Sequence, residues 1–342
     1  MLCNNPILIG GSGSTGSTLL ATILNRHPEI AIGPELSLFN KPKLYQISYE
    51  IFRDNLDRYL TTGTSTRGWH LYWPTMREIK HFGWDNNSLL KLSKECNSAR
   101  EFSDGFFDHF LIIKKKKTWG EKTPSNSYQF DSFLRLYPNA RIIHIVRDAR
   151  DVVSSLKSRG MDSYSASMLW LYNTAMGLRI KENDLYYQIS YEDLVQDTEN
   201  TLAYLCDFLS IDYLKDIIEP QSEKSEKNIL SWDNSPGGSI KSISVGKYKN
   251  QLDSFDYFVI DRVRISKTHI ENYGLKNDSI NSISVLSYKY SRRYSTLTRL
   301  YYIIRLVAMV MKDRIRRILV MLLIDREFYS FPGGIIIRGF TK

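Results

Sequence analysis

The feature that most constrains this chain is the run Pro6-Ile-Leu-Ile9 followed at once by Gly10-Gly-Ser-Gly-Ser-Thr-Gly-Ser-Thr18. A continuous apolar stretch bounded by turn residues reads as a short strand buried on both faces. Gly10 to Gly16 must turn. Ser17 to Asn25 then shows helical spacing, with Leu20, Ile23 and Leu24 on one side. His27-Pro28 closes that helix, because a residue before proline avoids helical geometry. Strand, glycine-rich loop and helix form the opening of an α/β nucleotide-binding unit. In such a loop the backbone N–H groups converge on one spot, and the following helix adds its positive end. The hydroxyls of Ser14, Thr15, Ser17 and Thr18 supply further donors. Gly13 to Thr18 is therefore a candidate cradle for an anion.

The register narrows the choice. Gly11-x4-Gly16-Ser17-Thr18 imitates the signature of nucleotide triphosphatases but lacks its lysine, which argues against an ATPase or a kinase. Gly11-x-Gly13-x-x-Gly16 has the letters of a dinucleotide fingerprint. No acidic residue follows at a second-strand end about 20 residues on, and Glu29 and Glu35 come too soon. Charge adds a weaker hint: 46 Lys+Arg against 37 Asp+Glu give a formal +9. A basic surface favours nucleotides, nucleic acids, acidic glycans or anionic membranes without choosing among them.

A second constellation is Ile143-His-Ile-Val-Arg147-Asp-Ala-Arg-Asp-Val-Val-Ser154-Ser155. Arg141–Val146 reads as a core strand and Ala149–Ser158 as the helix after it. Arg147 and Ser155 can then face one phosphate, with forked charged donors from one and a hydroxyl from the other. Arg159 is a third candidate, and an Arg–Asp pair holding the strand end is the structural alternative. His144 reads as a core histidine and Glu29 as a turn cap. Leu185–Ile189 is a third strand. Helices are expected over much of Leu44–Ile113 and over Ser127–Tyr137, Ser163–Ile180, Thr198–Leu209 and Phe255–Tyr273. Lys114–Lys117 reads as a solvated turn and Asn234–Gly238 as a loop. This alternation predicts an α/β fold with a central, mainly parallel sheet flanked by helices.

The two motifs in this order resemble the sulfotransferases that use 3′-phosphoadenosine 5′-phosphosulfate. The resemblance spans roughly residues 6 to 275. It includes Leu19-Leu20, His27-Pro28-Glu29-Ile30 and Tyr191-Glu-Asp-Leu194. It implies a P-loop NTPase-like fold in which the first loop holds the 5′-phosphosulfate. Arg147 and Ser155 would hold the 3′-phosphate, with Tyr191 near the adenosine. Gly33-Pro-Glu35 and Glu121-Lys122-Thr-Pro124 resemble the tyrosylprotein and bacterial carbohydrate branch. There the resemblance implies Glu35 as base and Lys122 as the cation at the transferring group. Ile240-Lys241-Ser-Ile-Ser-Val-Gly246 resembles the family's late cofactor-covering segment, which adds Lys241.

Ser14 departs from the pattern, since the family usually carries Arg or Lys there. Lys122 is expected to take that charge; reliance on backbone and hydroxyls alone, or a weak or inactive enzyme, are the alternatives. Trp69-His70-Leu-Tyr72-Trp73 is an aromatic cluster suited to sugar rings, and His70 an auxiliary base. A packing cluster is the other reading. The expected reaction is sulfuryl transfer to an acceptor hydroxyl, on a carbohydrate or glycolipid, without a metal. A phosphotransferase on a related scaffold and a non-catalytic nucleic-acid- or membrane-binding protein are the competing readings; no groove-reading motif supports nucleic acid.

From about Asn277 the composition shifts. The domain is expected to run over 1–276, with a basic amphipathic helical extension over 277–342. Packing of Arg299–Ile324 on the main domain is the favoured reading, and membrane-surface or partner contact the alternative. Cys3, Cys96 and Cys206 show no metal or disulfide spacing, and no signal peptide or membrane span is apparent. A cytoplasmic protein is the expectation, with membrane association through the extension as the alternative.

Overall fold

The computed structural model describes residues 5–40, 43–46, 48–62, 76–218, 244–263, 294–323, 328–331 and 334–337. Five strands form one sheet: β1 (Ile7–Gly11), β2 (Ile30–Ile32), β3 (Thr118–Lys122), β4 (Arg141–Val146) and β5 (Tyr186–Ser190). Their order is β2-β3-β1-β4-β5, and every pairing is parallel. The expected mainly parallel sheet is thus wholly parallel. Parallel strands need crossovers, and the crossovers place helices on both faces.

Helices α1 (Ser17–Arg26), α10 (Tyr191–Gln196) and α11 (Thr198–Leu209) cover one face. Leu20, Ile23, Leu24, Leu194, Leu202 and Leu205 pack there against Ile7, Ile9, Ile143 and Ile145. The opposite face lies under the largely helical stretch α2 (Lys43–Gln46), α3 (Tyr49–Thr62), α4 (Met76–His81), α5 (Asn86–Glu95) and α6 (Ala99–Lys114), together with α7 (Phe130–Leu136). Its core is aromatic. Leu8 and Ile142 point into a cluster with Phe39, Phe107, Trp119, Phe133 and Tyr137, and the Phe107 and Trp119 rings stack with centroids 4.0 Å apart. Ile7 and Ile9 go one way and Leu8 the other, as a period of two demands.

Helices α8 (Ala149–Lys157), α9 (Ser163–Gly177), α12 (Ser254–Ile260) and α13 (Thr296–Leu323) build a third cluster beside the sheet. The extension does pack on the body, through Tyr302, Leu306, Met309 and Val310 of α13. Beyond it a two-stranded antiparallel ribbon pairs β6 (Phe328–Phe331) with β7 (Gly334–Ile337). The expected boundary at 276/277 and the loop at Asn234–Gly238 lie outside the described residues.

Two strands escaped the sequence reading. Thr118-Trp-Gly-Glu-Lys122 holds a glycine and two charges, and Ile30–Ile32 is only three residues long. Lys114–Lys117 also needs correction. Lys115 ends α6 in the left-handed conformation (φ 54°), as a helix C-cap, while Lys116 turns inward. Its ammonium donates to the carbonyls of Asn25 and Ile30. His144 is the core histidine expected, fully buried and hydrogen-bonded through Nδ1 to the Tyr186 hydroxyl at 2.7 Å. Burial holds it neutral, pushing its pKa down to about 3.

Candidate functional site

In an open parallel sheet, ligands gather where the carboxyl ends of the strands meet loops, at the reversal of strand order. Here every strand delivers sequence-predicted residues to that edge. The glycine loop follows β1, Glu35 follows β2, Lys122 is the last residue of β3, Arg147 follows β4, and Tyr191 follows β5.

The loop is shaped as a cradle. Gly16 has φ +88°, and a side chain there would strike the Tyr191 ring, its Cβ falling 2.3 Å from ring carbon Cδ2. Only glycine fits. Ser14 also sits in the left-handed region (φ 68°), where a non-glycine residue carries strain. Thr15 is buried and its hydroxyl donates back to the Ser12 carbonyl at 2.7 Å. Ser17 and Thr18 open α1. The buried hydroxyls of Ser12 and Ser14 have no hydrogen-bond partner. Buried polar groups normally find a partner, whether protein, water or a bound group, so these two hydroxyls are available as donors.

Lys122 and Glu35, far apart in sequence, meet. The Lys122 ammonium lies 2.6 Å from Glu35 Oε1 and 3.2 Å from Thr18 Oγ1. The lysine is 1% exposed and the glutamate 23%. A nearly closed-off cation is thus held between the loop helix and a carboxylate that still reaches solvent. The neighbour Glu121, on the opposite side of β3, fixes this geometry. Its fully buried carboxyl accepts from the Leu36 N–H at 3.1 Å, from the Thr123 hydroxyl at 2.6 Å and from the Asn126 amide. Thr123 Oγ1 also accepts from the Ser37 N–H at 3.2 Å. These bonds clamp the segment carrying Glu35 against β3. Burial raises the Glu121 pKa, opposed by the Thr123 and Asn126 hydrogen bonds. Sequence reading gave Glu121 no role beyond its place in the motif.

The β4 end is built differently. The Arg147 guanidinium donates to the Ser14 carbonyl at 2.9 Å and to the Ser244 carbonyl. It also lies over the Tyr191 ring, 4.2 Å from its centroid. Its buried Nε has no partner. Tyr191 therefore stands between the loop and the arginine, buried by both. Ser155 is half-buried on α8, and Arg159 is exposed just past the end of that helix. Asp151, four residues after Arg147 and in the first turn of α8, is a further residue the sequence reading left unassigned. It is buried and accepts from the N–H groups of Gly246 at 2.7 Å and Tyr248 at 3.0 Å. Arg150 lies over the Tyr248 ring at 4.2 Å, and Ser154 bonds Gln251. The stretch 244–251 is thereby fastened to α8. Lys241, just before it, lies outside the described residues, as do Trp69, His70, Tyr72 and Trp73.

Comparison with known proteins agrees with this architecture. Residues 6–216 match the model of a family described as the sulfotransferase family. A Caenorhabditis briggsae protein, to which protein-tyrosine sulfotransferase activity is provisionally ascribed, is 26% identical over 235 residues, covering 62% of this chain and 68% of that protein. Among solved structures, the sulfotransferase domain of the Synechococcus PCC 7002 olefin synthase superposes with a TM-score of 0.55 at 21% identity. That match covers 82% of this chain and 96% of the domain. The sulfotransferase domain of the curacin biosynthetic pathway gives 0.51 at 17% identity, over 82% and 96%. These two likenesses speak to the fold, and the family match covers more than half the chain. The glycine cradle, the Lys122–Glu35 pair and the arginine after β4 thus sit in a chain that belongs to the sulfotransferase family of enzymes.

Proposed function

We propose that this enzyme moves a sulfuryl group from 3′-phosphoadenosine 5′-phosphosulfate to an acceptor hydroxyl. The observation that carries this reading is Lys122, buried between Thr18 of the loop helix and Glu35. It supplies, from β3, the cation that Ser14 does not supply from the loop.

The residues suit a donor with two separated anionic ends. The N–H groups and hydroxyls of Gly13 to Thr18 would take the phosphosulfate. The unpartnered Ser12 and Ser14 hydroxyls supply ready donors at that place. Arg147, with Ser155 and Arg159 on the side of α8, would take the 3′-phosphate. Its guanidinium would trade backbone carbonyls for a charged acceptor, a stronger partner. Tyr191 offers a ring beside the loop for the nucleoside, and the family resemblance adds Lys241 as a further donor contact.

In-line transfer depends on positioning and on stabilising charge that builds on the leaving phosphate. Lys122 is placed for the second task. When its ammonium turns toward the donor, the Glu35 carboxylate loses its partner and is freed to accept the acceptor's proton. One ion pair thereby couples donor arrival to the appearance of a base.

For the acceptor, the sequence cluster Trp69, His70, Tyr72 and Trp73 supports a carbohydrate or glycolipid hydroxyl. A tyrosyl hydroxyl is the second reading, favoured by the tyrosine activity ascribed to the C. briggsae relative. The scarcity of cysteines supports a reducing, cytoplasmic setting. Transfer of labelled sulfate to a panel of glycans, glycolipids and tyrosyl peptides separates the acceptors. In the same assay Glu35→Ala should keep donor binding and lose about 10²–10⁴-fold in turnover. Turnover unchanged from the wild type would remove Glu35 from the role of base.

A further inference from the structure

The outer face of α13 carries a feature the transfer reaction does not use. Leu297, Leu300, Ile304, Val307, Met311, Ile315 and Ile318 follow one another at steps of three or four residues, so they line one side of the helix. All are exposed, Leu297 by 80% and Ile304 by 61%. The side that packs on the body, through Tyr302, Leu306, Met309 and Val310, lies opposite. Seven large apolar side chains in one exposed stripe far exceed the scattered singles of an ordinary surface.

Charge decides what the stripe fits. Arg305, Lys312 and Arg316 lie along one border and Arg314 along the other, all exposed. The helix's acidic residue, Asp313, is turned inward at 4% exposure and paired with Arg316 at 2.8 Å. The outward side therefore offers apolar surface framed by positive charge. A second copy docked on this stripe would set arginine and lysine against arginine and lysine. An anionic lipid surface meets both features at once: acyl chains receive the stripe and headgroups the basic borders. Among the described residues no helix is long and apolar enough to cross a membrane, so the contact in question lies along the surface.

We infer that α13 docks the enzyme on an anionic membrane surface, lying in the interfacial plane with its Leu297–Ile318 stripe turned into the lipid. This inference does not depend on the identity of the donor or the acceptor.

The test is co-sedimentation of the full chain with phosphatidylcholine vesicles, with and without phosphatidylserine. Binding is expected to the phosphatidylserine vesicles only and to weaken with salt. Ile304→Asp with Met311→Asp should abolish it, while the melting temperature stays unchanged because both side chains point away from the body. Lys312→Gln with Arg314→Gln should weaken it on the order of tenfold. No sedimentation with anionic vesicles, or sedimentation indifferent to the aspartate pair, would overturn the inference. So would a concentration-dependent dimer dissolved by that pair, which would assign the stripe to a second copy.

Discussion

The ends of β3 and β4 each present a buried cation to the same edge of the sheet, yet they hold it in different ways. Lys122 is held by a carboxylate and a hydroxyl, Arg147 by two backbone carbonyls and a tyrosine ring. Under the proposed function the first pairing holds a latent base, because a competing anion that draws Lys122 away would expose the Glu35 carboxylate. The second holds none, since a carbonyl released from an arginine is only a carbonyl. On the proposed function, the β3 end would be where chemistry is coupled to binding, and the β4 end where affinity is set. Their supports differ as well. Glu121 fixes the segment carrying Glu35 through hydrogen bonds from Leu36, Thr123 and Asn126, while Asp151 fixes a stretch of chain beside the arginine.

The sharpest way to break this contrast is Lys122→Ala. Loss of a donor aimed at developing charge costs about 10²–10³-fold in turnover. The expected signature is a fall of that size in single-turnover transfer with a much smaller change in donor affinity. Glu35, partly exposed, can hydrate, and the void left by the buried lysine should lower the melting temperature without preventing folding. A loss confined to affinity would erase the distinction between the two ends.

Asp151→Ala should act on the β4 end alone. It strands the Gly246 and Tyr248 N–H groups, at a cost of about 1–3 kcal/mol in stability. Hydrogen exchange should quicken at those two amides and leave the Glu35 segment as protected as before. Unaltered exchange over 244–251 would mean that Asp151 does not fasten that stretch.

The smallest effect comes from Lys116, an inward lysine whose ammonium donates to two backbone carbonyls. Burial, with Lys114 nearby, lowers its pKa from 10.5 to about 8. Between those values the unfolded chain keeps a proton that the folded chain has shed, so this group makes stability rise with pH across that window. Lys116→Met should flatten the rise in denaturant midpoint measured from pH 8 to 10. An unchanged slope would show that the lysine is not buried as described.

How much of this was legible in the sequence follows the same division. The β1 loop and the β4 motif announce themselves locally, because glycine spacing and an arginine after an apolar strand carry their meaning within a few residues. The β3 end does not. Thr118–Lys122 looks too polar for an interior strand, and its charges become tolerable only when Glu121 meets Asn126 and Thr123 and Lys122 meets Glu35 across the fold. Resemblance to the family pointed to Lys122 and Glu35 as separate candidates; their pairing is a tertiary fact. Asp151 sat in plain view within the motif, but a carboxylate on a helix reads as solvated until the stretch 244–251 folds over it. The helix α13 was legible as a helix and as amphipathic. That it keeps two apolar faces, one inward and one outward, depends on which side meets Phe255 and Phe258.

The central claim is that this edge holds a donor with a phosphate at the 3′ position, gripped at the β4 end. Titration calorimetry with adenosine 3′,5′-bisphosphate tests it most directly. The wild type should bind one equivalent, and Arg147→Ala should bind on the order of 100-fold more weakly. Affinity for adenosine 5′-monophosphate should differ little between the two proteins. A wild type that gives no binding heat with the bisphosphate, or an Arg147→Ala variant that binds it equally well, would contradict the account.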